Sequence, residues 1–512
     1  MTTTAPVLYV HPAKQDVDLY DQVPAEQLGR PYGLIPMGVP ALVNLLRENG
    51  IDVRGVNFPM EKRMRPNFSL RQWLRSQKGA RIILIDLHWY EHSYGAISVA
   101  KVCKEVLPDA WTVIGGLTAS AFASEIMRDH PEVDFIIRGD AEKPLLHLAR
   151  RLLEVDGPGA APKLDDIPNL SYRVAGELRE NERTYCAGPE DFAALNFIDI
   201  DFMDHEEAYY VHEYLVIDME VARRASQGAD VAAYRGRWLT TARGCNYSCS
   251  YCGGARMAHA AIAGRKGLVV VPPETIISQI KHLLDHGVIQ VSFSYDLGDL
   301  GESYWRTLFR MLRKEGIKIG LYNEFFQLPP QGFMKDYVRT ADMEHSCLAL
   351  NPYSGSEKVR RLNGKRYGDT ELIHALDELN YYNIPIIVYF SLNLPGEDEQ
   401  ANRESVELGK RIFETYPSKL LKILNSCHTV EPFSPMVMHP ENYGVKVEWS
   451  GFKDWYTYCR ETQLALPGSR TGEWRGFHTL NLGERSIEAM ADAWDAARAG
   501  REASWWPLPP SW

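Results

Sequence analysis

Along the first 150 residues, short apolar runs alternate with stretches whose apolar positions recur every three or four residues. Residues 7–10, 52–56, 81–86, 111–114 and 133–137 read as strands, because short, largely apolar runs of this length suit strands buried on both faces. Between them, residues 39–49, 95–106 and 143–153 follow a helical period. The first carries Val39, Leu42, Val43, Leu45 and Leu46 on one face and stops at Gly50. Alternating strand and helix imply parallel βαβ units, so residues 1–155 are expected to form a doubly wound, Rossmann-like α/β domain. Ligands of such sheets bind beyond the carboxyl ends of the strands. His11, the segment from Asp86 to His92, Gly115 to Ser120 and Gly139 to Glu142 are therefore expected around one crevice.

Residues 156–235 read differently. A Gly/Pro/Ala linker at 157–162 leads to a hairpin over 170–178 that turns at Ala175-Gly176, and then to an acidic, Tyr-rich stretch with no clear period. Over residues 236–445 a second βα series begins. Its strand candidates are 268–271, 289–294, 317–322, 347–350, 384–390 and 420–424, with helical stretches such as 273–284 and 369–379 between them. About six βα units in this span predict a partial (β/α)6 barrel, whose site lies at the carboxyl ends of its strands. Residues 446–512 form a small helical cap rich in tryptophan: Trp449, Trp455, Trp474, Trp494, Trp505, Trp506 and Trp512. Its aromatics either line a substrate pocket or pack on the barrel.

The longest apolar run, 384–390, is strand-sized, far short of the roughly 18 residues that span a bilayer. Residues 1–7 lack a basic region leading into an apolar one, so a cytoplasmic protein without a membrane partner is expected. The net charge of −11 gives no electrostatic case for a nucleic-acid partner. Eight cysteines in 512 residues are too few for a disulfide scaffold, yet Cys245, Cys249 and Cys252 fall within eight positions. Three thiolates on one loop directly after a strand suit three irons of a cubane cluster, with the fourth iron left open. The same three ligands also suit zinc, for which His259 is the nearest fourth donor.

The sequence Arg243-Gly244-Cys245-Asn246-Tyr247-Ser248-Cys249-Ser250-Tyr251-Cys252, read on the first loop of a partial barrel, resembles the radical S-adenosylmethionine (SAM) superfamily from Leu239 to Val445. The resemblance implies that Cys245, Cys249 and Cys252 ligate a [4Fe–4S] cluster whose open iron binds SAM. It implies that Tyr251 packs near the adenine, and that Asp296 and Glu324, at the ends of successive strands, hold the amino group or ribose. Residues 351–357 stand where relatives carry Gly-x-Glu-Ser-Gly-Ser. Tyr353 replaces that glutamate, which leaves Ser354 as the SAM contact. Residues 393–398, Asn-Leu-Pro-Gly-Glu-Asp, are similar to the family's Gly-Leu-Pro-Gly-Glu-Thr turn, and 431–436 to its loop at the barrel's end.

A doubly wound domain ahead of such a barrel resembles the cobalamin-dependent branch. The matching text is 31–38, 113–116, 133–134 and 139–142, where glycines let a corrin approach the backbone. Gly115, Gly116, Leu117 and Thr118 are the implied contacts with its nucleotide tail, with Gly139 and Glu142 beside them. The Asp-x-His-x-x-Gly motif that ligates cobalt from below is missing, since His11-Pro12-Ala13-Lys14 follows the first strand. Asp86-Leu87-His88 follows the third. His88 is thus a candidate lower ligand, and Trp89 and Tyr90 are candidates to block that face instead.

Taken together, the resemblance implies a cobalamin-dependent radical SAM C-methyltransferase. A 5′-deoxyadenosyl radical would take a hydrogen from an unactivated carbon, methylcobalamin would donate the methyl group, and a second SAM would remethylate the cobalamin. The implied substrate is a small aromatic or carrier-protein-bound intermediate of secondary metabolism, and an external donor such as flavodoxin or ferredoxin supplies electrons. The alternatives are a cobalamin-dependent radical SAM cyclase or ring-rearranging enzyme, and a radical SAM enzyme whose cobalamin domain is degenerate. An interaction module built on zinc is the reading from another class.

Overall fold

In the computed structural model, residues 5–22, 34–155, 162–174, 176–215, 233–427, 430–463, 476–502 and 504 are described. Pro31-Tyr32-Gly33, most of the 157–162 linker, Ala175, Trp474, Trp505, Trp506 and Trp512 lie outside these residues.

Five aliphatic runs of the first segment form parallel strands β1 (Val7–His11), β2 (Val53–Asn57), β3 (Ile82–Asp86), β4 (Trp111–Gly115) and β5 (Phe135–Ile137). Their order in the sheet is β2-β1-β3-β4-β5, so the chain reverses direction between β1 and β3. That reversal opens a crevice at the carboxyl ends of those strands. Helices Gly38–Glu48, Leu70–Ser76, Ser93–Val106 and Ala123–Asp129 lie on the crossovers, and Glu142–Glu154 follows β5. The hairpin expected in the linker instead extends this sheet: β6 (Leu170–Val174) pairs antiparallel with β5, and β7 (Glu177–Glu180) with β6. At the opposite edge, the backbones of Phe202 and Asp204 bond to Gly55 of β2, while Asp201 and Asp204 pair with Arg47 and Arg54. The connecting segment thus covers a strand edge that would otherwise stay open to pairing.

The second sheet holds six parallel strands: β8 (Gly236–Leu239), β11 (Gln290–Phe293), β12 (Gly320–Phe325), β13 (Cys347–Tyr353), β14 (Ile386–Leu392) and β15 (Leu421–Cys427). It runs in chain order from β8 to β15, as a partial (β/α)6 barrel requires. The apolar run at 268–271 is not one of its strands. β10 (Val269–Val270) pairs antiparallel with β9 (Ala242–Arg243) in a short ribbon beside the cysteine loop, and the barrel begins with β8. Four β-branched or aliphatic residues suit a ribbon as well as a core strand.

Two helices and a ribbon, β16 (Val445–Val447) with β17 (Phe477–Thr479), close the chain. The helix Phe452–Thr462 packs on the first domain, where Trp455 meets Phe122 at 5.1 Å and Tyr456 meets Tyr94 at 5.1 Å. The helix Glu484–Ala497 packs on the barrel, with Trp494 against Phe390 at 5.0 Å. Both tryptophans are buried, and each anchors its helix by apolar contact rather than lining a pocket. Among the described residues, no helix is long and apolar enough to cross a membrane.

The barrel is joined to the connecting segment by a buried ion pair. Arg237 of β8, fully buried, donates to Glu213, whose other carboxylate oxygen accepts the Trp238 N–H at 2.9 Å. Glu213→Ala leaves that guanidinium buried and uncompensated, and should cost about 3–5 kcal/mol of stability, read as a lowered denaturant midpoint.

Candidate active site

The cysteine loop leaves the ribbon strand β9 through Gly244, whose φ is 97°. A Cβ there would stand 2.3 Å from the Gly267 carbonyl oxygen, so the turn requires glycine. Three side chains from three separate loops then hold the cysteine loop. After β11, Asp299 accepts from the Tyr247 hydroxyl (2.7 Å), the Tyr295 hydroxyl (2.5 Å) and the Asn246 side-chain amide (2.9 Å). Asn363 pairs with the Ser250 hydroxyl, and Glu431 accepts the Gly253 N–H at 2.6 Å.

The three cysteines lie half-buried and free of disulfides. Burial, then the Glu431 carboxylate, pushes the Cys252 thiol well above its ordinary range, and burial also raises Cys245. Thiols in so dry a pocket ionise when a cationic centre binds them, so the loop's chemistry fits an iron cluster. Tyr251, beside them, is buried and meets Tyr353 edge-on at 5.1 Å; its surroundings are those of a packed core residue.

Asp296 is buried, and its carboxylate already accepts the N–H groups of Gly298 (2.8 Å) and Phe326 (2.9 Å). Burial raises it to about 7 despite those donors. It ties the loop after β11 to the end of β12. Glu324, on β12, is only half-buried and receives Asn351 at 2.6 Å, which leaves it the more open carboxylate. Ser354 is fully buried. Its hydroxyl accepts the Ser356 N–H at 3.1 Å within its own loop and faces Ser405, of the helix Glu399–Thr415, at 3.3 Å. The turn at 393–398 is closed by Glu397, which accepts the Leu394 N–H at 3.1 Å, while Asp398 caps the next helix through Ala401 N–H at 2.8 Å.

Sequence reasoning missed Lys365. Its buried ammonium donates to the Phe326 carbonyl at 2.8 Å and lies 4.8 Å from the Tyr353 ring. Burial lowers its pKa against the opposing pull of Cys249, Glu324 and Asp296. Asn351 Oδ1 and both amide atoms of Asn425 are buried without a hydrogen-bond partner, which marks polar groups open to a ligand. Nothing in the local text of Lys365 signals a site, because only the folded barrel brings it near Cys249.

Across the domain boundary, Arg243 pairs with Asp140 at 3.1 Å and Glu142 at 2.6 Å, and Arg265 also pairs with Asp140. Gly139 abuts Ala263, so Gly139 and Glu142 sit at the contact between domains. The loops after β3 and β4 interlock, with Thr118 N–H and hydroxyl both donating to the His88 carbonyl, at 3.2 and 3.0 Å. Gly116, at φ 117°, lies so close to His88 that a Cβ would stand 2.7 Å from its backbone. A Cβ at Gly115 would meet nothing within 4 Å, which leaves open space in front of that backbone for a flat ligand. Leu117 begins the helix that follows. Burial drives His88 down to about 4, so its imidazole is neutral and able to ligate a metal. Trp89 stands edge-on to it at 5.0 Å, whereas Tyr90 is buried, with its carbonyl accepting from Cys459.

Three half-buried thiols therefore stand on a loop beside a six-stranded parallel half-barrel. Residues 239–409 match the model of the radical SAM superfamily, so the chain carries a radical SAM domain. Over its whole length the fold is similar to that of the radical SAM methyltransferase TsrM from Kitasatospora setae, solved with tryptophan substrate and a SAM analogue bound. The TM-score is 0.66 at 13% identity, covering 99% of this chain and 91% of that one. The cobalamin-dependent SAM radical enzyme OxsB matches with a TM-score of 0.59 at 14% identity, over 97% of this chain and 67% of its own. Among curated proteins, the uncharacterized methyltransferase PH0819 of Pyrococcus horikoshii is 20% identical over 322 residues. The match takes in 62% of each chain, so this chain spans less than two thirds of that relative's length.

Two outcomes follow from this geometry. Asp299→Ala removes the acceptor shared by two donors of the cysteine loop, Asn246 and Tyr247, and should lower iron incorporation at least about threefold, measured per chain after reconstitution, while the far-UV spectrum stays unchanged. Glu397, fully buried with one oxygen unpartnered, is raised by burial to about 8. Between pH 4.5 and 8 the folded chain keeps this proton and the unfolded chain has released it, so stability falls as pH rises through that window and levels off above it. Glu397→Gln should remove about 1.4 kcal/mol per pH unit from that slope, read from denaturation midpoints at several pH values.

Proposed function

We propose that this chain is a cobalamin-dependent radical SAM C-methyltransferase acting on an unactivated carbon of a small aromatic or carrier-bound substrate. An external donor of the flavodoxin or ferredoxin type completes the system. The observation that carries the reading is the bridge from Asp140 and Glu142 to Arg243. It ties the glycine-lined crevice of the Rossmann-like sheet to the residue two positions before Cys245.

When bound, the cluster and SAM supply a carbon-centred radical, and cobalamin supplies a methyl group. Cys245, Cys249 and Cys252 are the residues to hold the cluster. Lys365 offers a buried cation for the carboxylate of SAM, Glu324 an anion for its amino group, and Asn351 and Asn425 unpaired amide atoms for its polar edge. Asp296, Ser354 and Tyr251 brace the loops that carry these groups. On the other side, His88 offers a neutral nitrogen to the lower face of a corrin and Trp89 an aromatic wall, while Gly115 to Thr118 leave room for its tail. Gly139 and Glu142 fix the wall between the domains. The half-barrel mouth and the crevice enclose a space at a domain boundary, where water is readily excluded from a reactive species.

The test is anaerobic purification, reconstitution with iron and sulfide, addition of hydroxocobalamin and desalting. The reading expects about one corrin retained per chain beside a [4Fe–4S] EPR signal. Nitrogen splitting of the Co(II) lines that vanishes in His88→Ala would make His88 a ligand, and its absence from the native chain would leave that face bare or blocked by Trp89 or Tyr90. With substrate, product mass should rise by one CH2 unit, with 5′-deoxyadenosine and S-adenosylhomocysteine both formed. A product without that gain would favour ring-forming chemistry, and a chain that keeps the cluster but releases the corrin would overturn the reading.

A further inference from the structure

The described residues hold one further cluster of ligand-type side chains, in the first domain and apart from the cysteines. His11 ends β1, Asp86 ends β3, and His92 stands at the entry to the helix Ser93–Val106. One ligand atom from each lies within 4.8 Å of the other two. All three side chains are buried, with exposures of 0%, 5% and 0%. His11 Nδ1 is 2.9 Å from Asp86 Oδ1, and the His11 and His92 rings meet edge-on at 5.1 Å. The Tyr9 hydroxyl donates to the same Asp86 oxygen at 2.7 Å. Asp86 Oδ2 is buried and has no hydrogen-bond partner.

A carboxylate oxygen in a dry interior without a donor is unfavourable, and a cation removes that penalty. We infer that His11, Asp86 and His92 bind a divalent transition ion of the zinc type, through two imidazole nitrogens and the carboxylate. Two histidines and one carboxylate form a ligand set that zinc uses, and imidazole nitrogens disfavour magnesium and calcium, which prefer oxygen. The carboxylate is in turn hydrogen-bonded by Tyr9, the outer support that metal-ligating carboxylates carry. The unpartnered Oδ2 supplies a further donor.

Such an ion joins two adjacent strand ends to the start of the following helix, and thereby fixes the loop 87–92 from behind. Trp89 links the two places: its ring stands edge-on to His92 at 6.0 Å and to His88 at 5.0 Å. The ion is therefore structural, setting the floor of the crevice without entering it. The inference holds whether or not that crevice takes cobalamin.

The experiment uses the full chain, carrying a tag without histidine, expressed with zinc and loaded with its cluster anaerobically. Mass spectrometry for metals should find about one zinc per chain besides cluster iron, and zinc K-edge absorption should show nitrogen and oxygen neighbours at about 2.0–2.2 Å, without sulfur. Asp86→Asn and His92→Gln should each reduce zinc at least about tenfold while the cluster absorbance stays. On the native chain, a strong chelator should lower the melting temperature by several degrees, and one added equivalent of zinc should restore it. A native chain without bound transition metal beyond cluster iron, a sulfur shell around the zinc, or variants that keep their zinc would each overturn the inference. Should the variants fail to fold, the native chain's metal content and absorption spectrum decide.

Discussion

Asp140 is the residue on which the arrangement of the two domains rests. It is buried at the end of the first sheet, and it accepts the Ala187 N–H at 2.8 Å and pairs with both Arg243 and Arg265. One carboxylate thus gathers three segments: the loop after β5, the connecting segment, and the ribbon that opens into the cysteine loop. Burial alone would raise its pKa, but Arg243 and then Arg265 pull it below the ordinary carboxylate range. Such a pair adds little net stability over a well-packed apolar contact, and its loss is costly mainly because a charge is left behind. Its value here is positional. Arg243 comes two residues before Cys245, so a shift at Asp140 would move the cysteine loop relative to the crevice.

Much of this frame was legible in the sequence. The five strand candidates of the first domain became its five parallel strands, four of them because strands covered on both faces are largely apolar, while β2 carries Arg54 and Gly55 between its valines. The cysteine loop was legible because its spacing is chemistry rather than packing. What the sequence concealed was long-range pairing. The run at 268–271 has strand composition, but its partner is β9, and no local pattern separates a ribbon from a barrel strand. The hairpin after residue 170 was recognised as a hairpin but not as the edge of a sheet. Trp455 and Trp494 advertised burial without saying against what.

The same distinction holds within the site. Asp296 and Ser354 are implied by the resemblance to radical SAM relatives, and the structure shows their polar atoms engaged with nearby donors and acceptors. Lys365, Asn425 and Asp299 carry no motif, yet they supply a buried cation, an unpaired amide and the hub that holds the cysteine loop. A polar residue at a strand end has two possible uses, to close its own turn or to face a ligand. The backbone donors that decide between them come from neighbouring strands, which only the folded barrel brings together.

Charge ties these points to one another. Asp296 and Glu431 are raised by burial to about 7, and Glu397 to about 8, all on loops that border or brace the cysteine site. His88 is held neutral by burial on the opposite side. Asp296 and Glu431 therefore titrate near neutral pH, while burial keeps the Cys245 and Cys252 thiols protonated until a cationic centre arrives. Binding and proton release are then linked, and the affinity of the cysteine loop for its metal should be set as much by the buried carboxyls around it as by the three sulfurs.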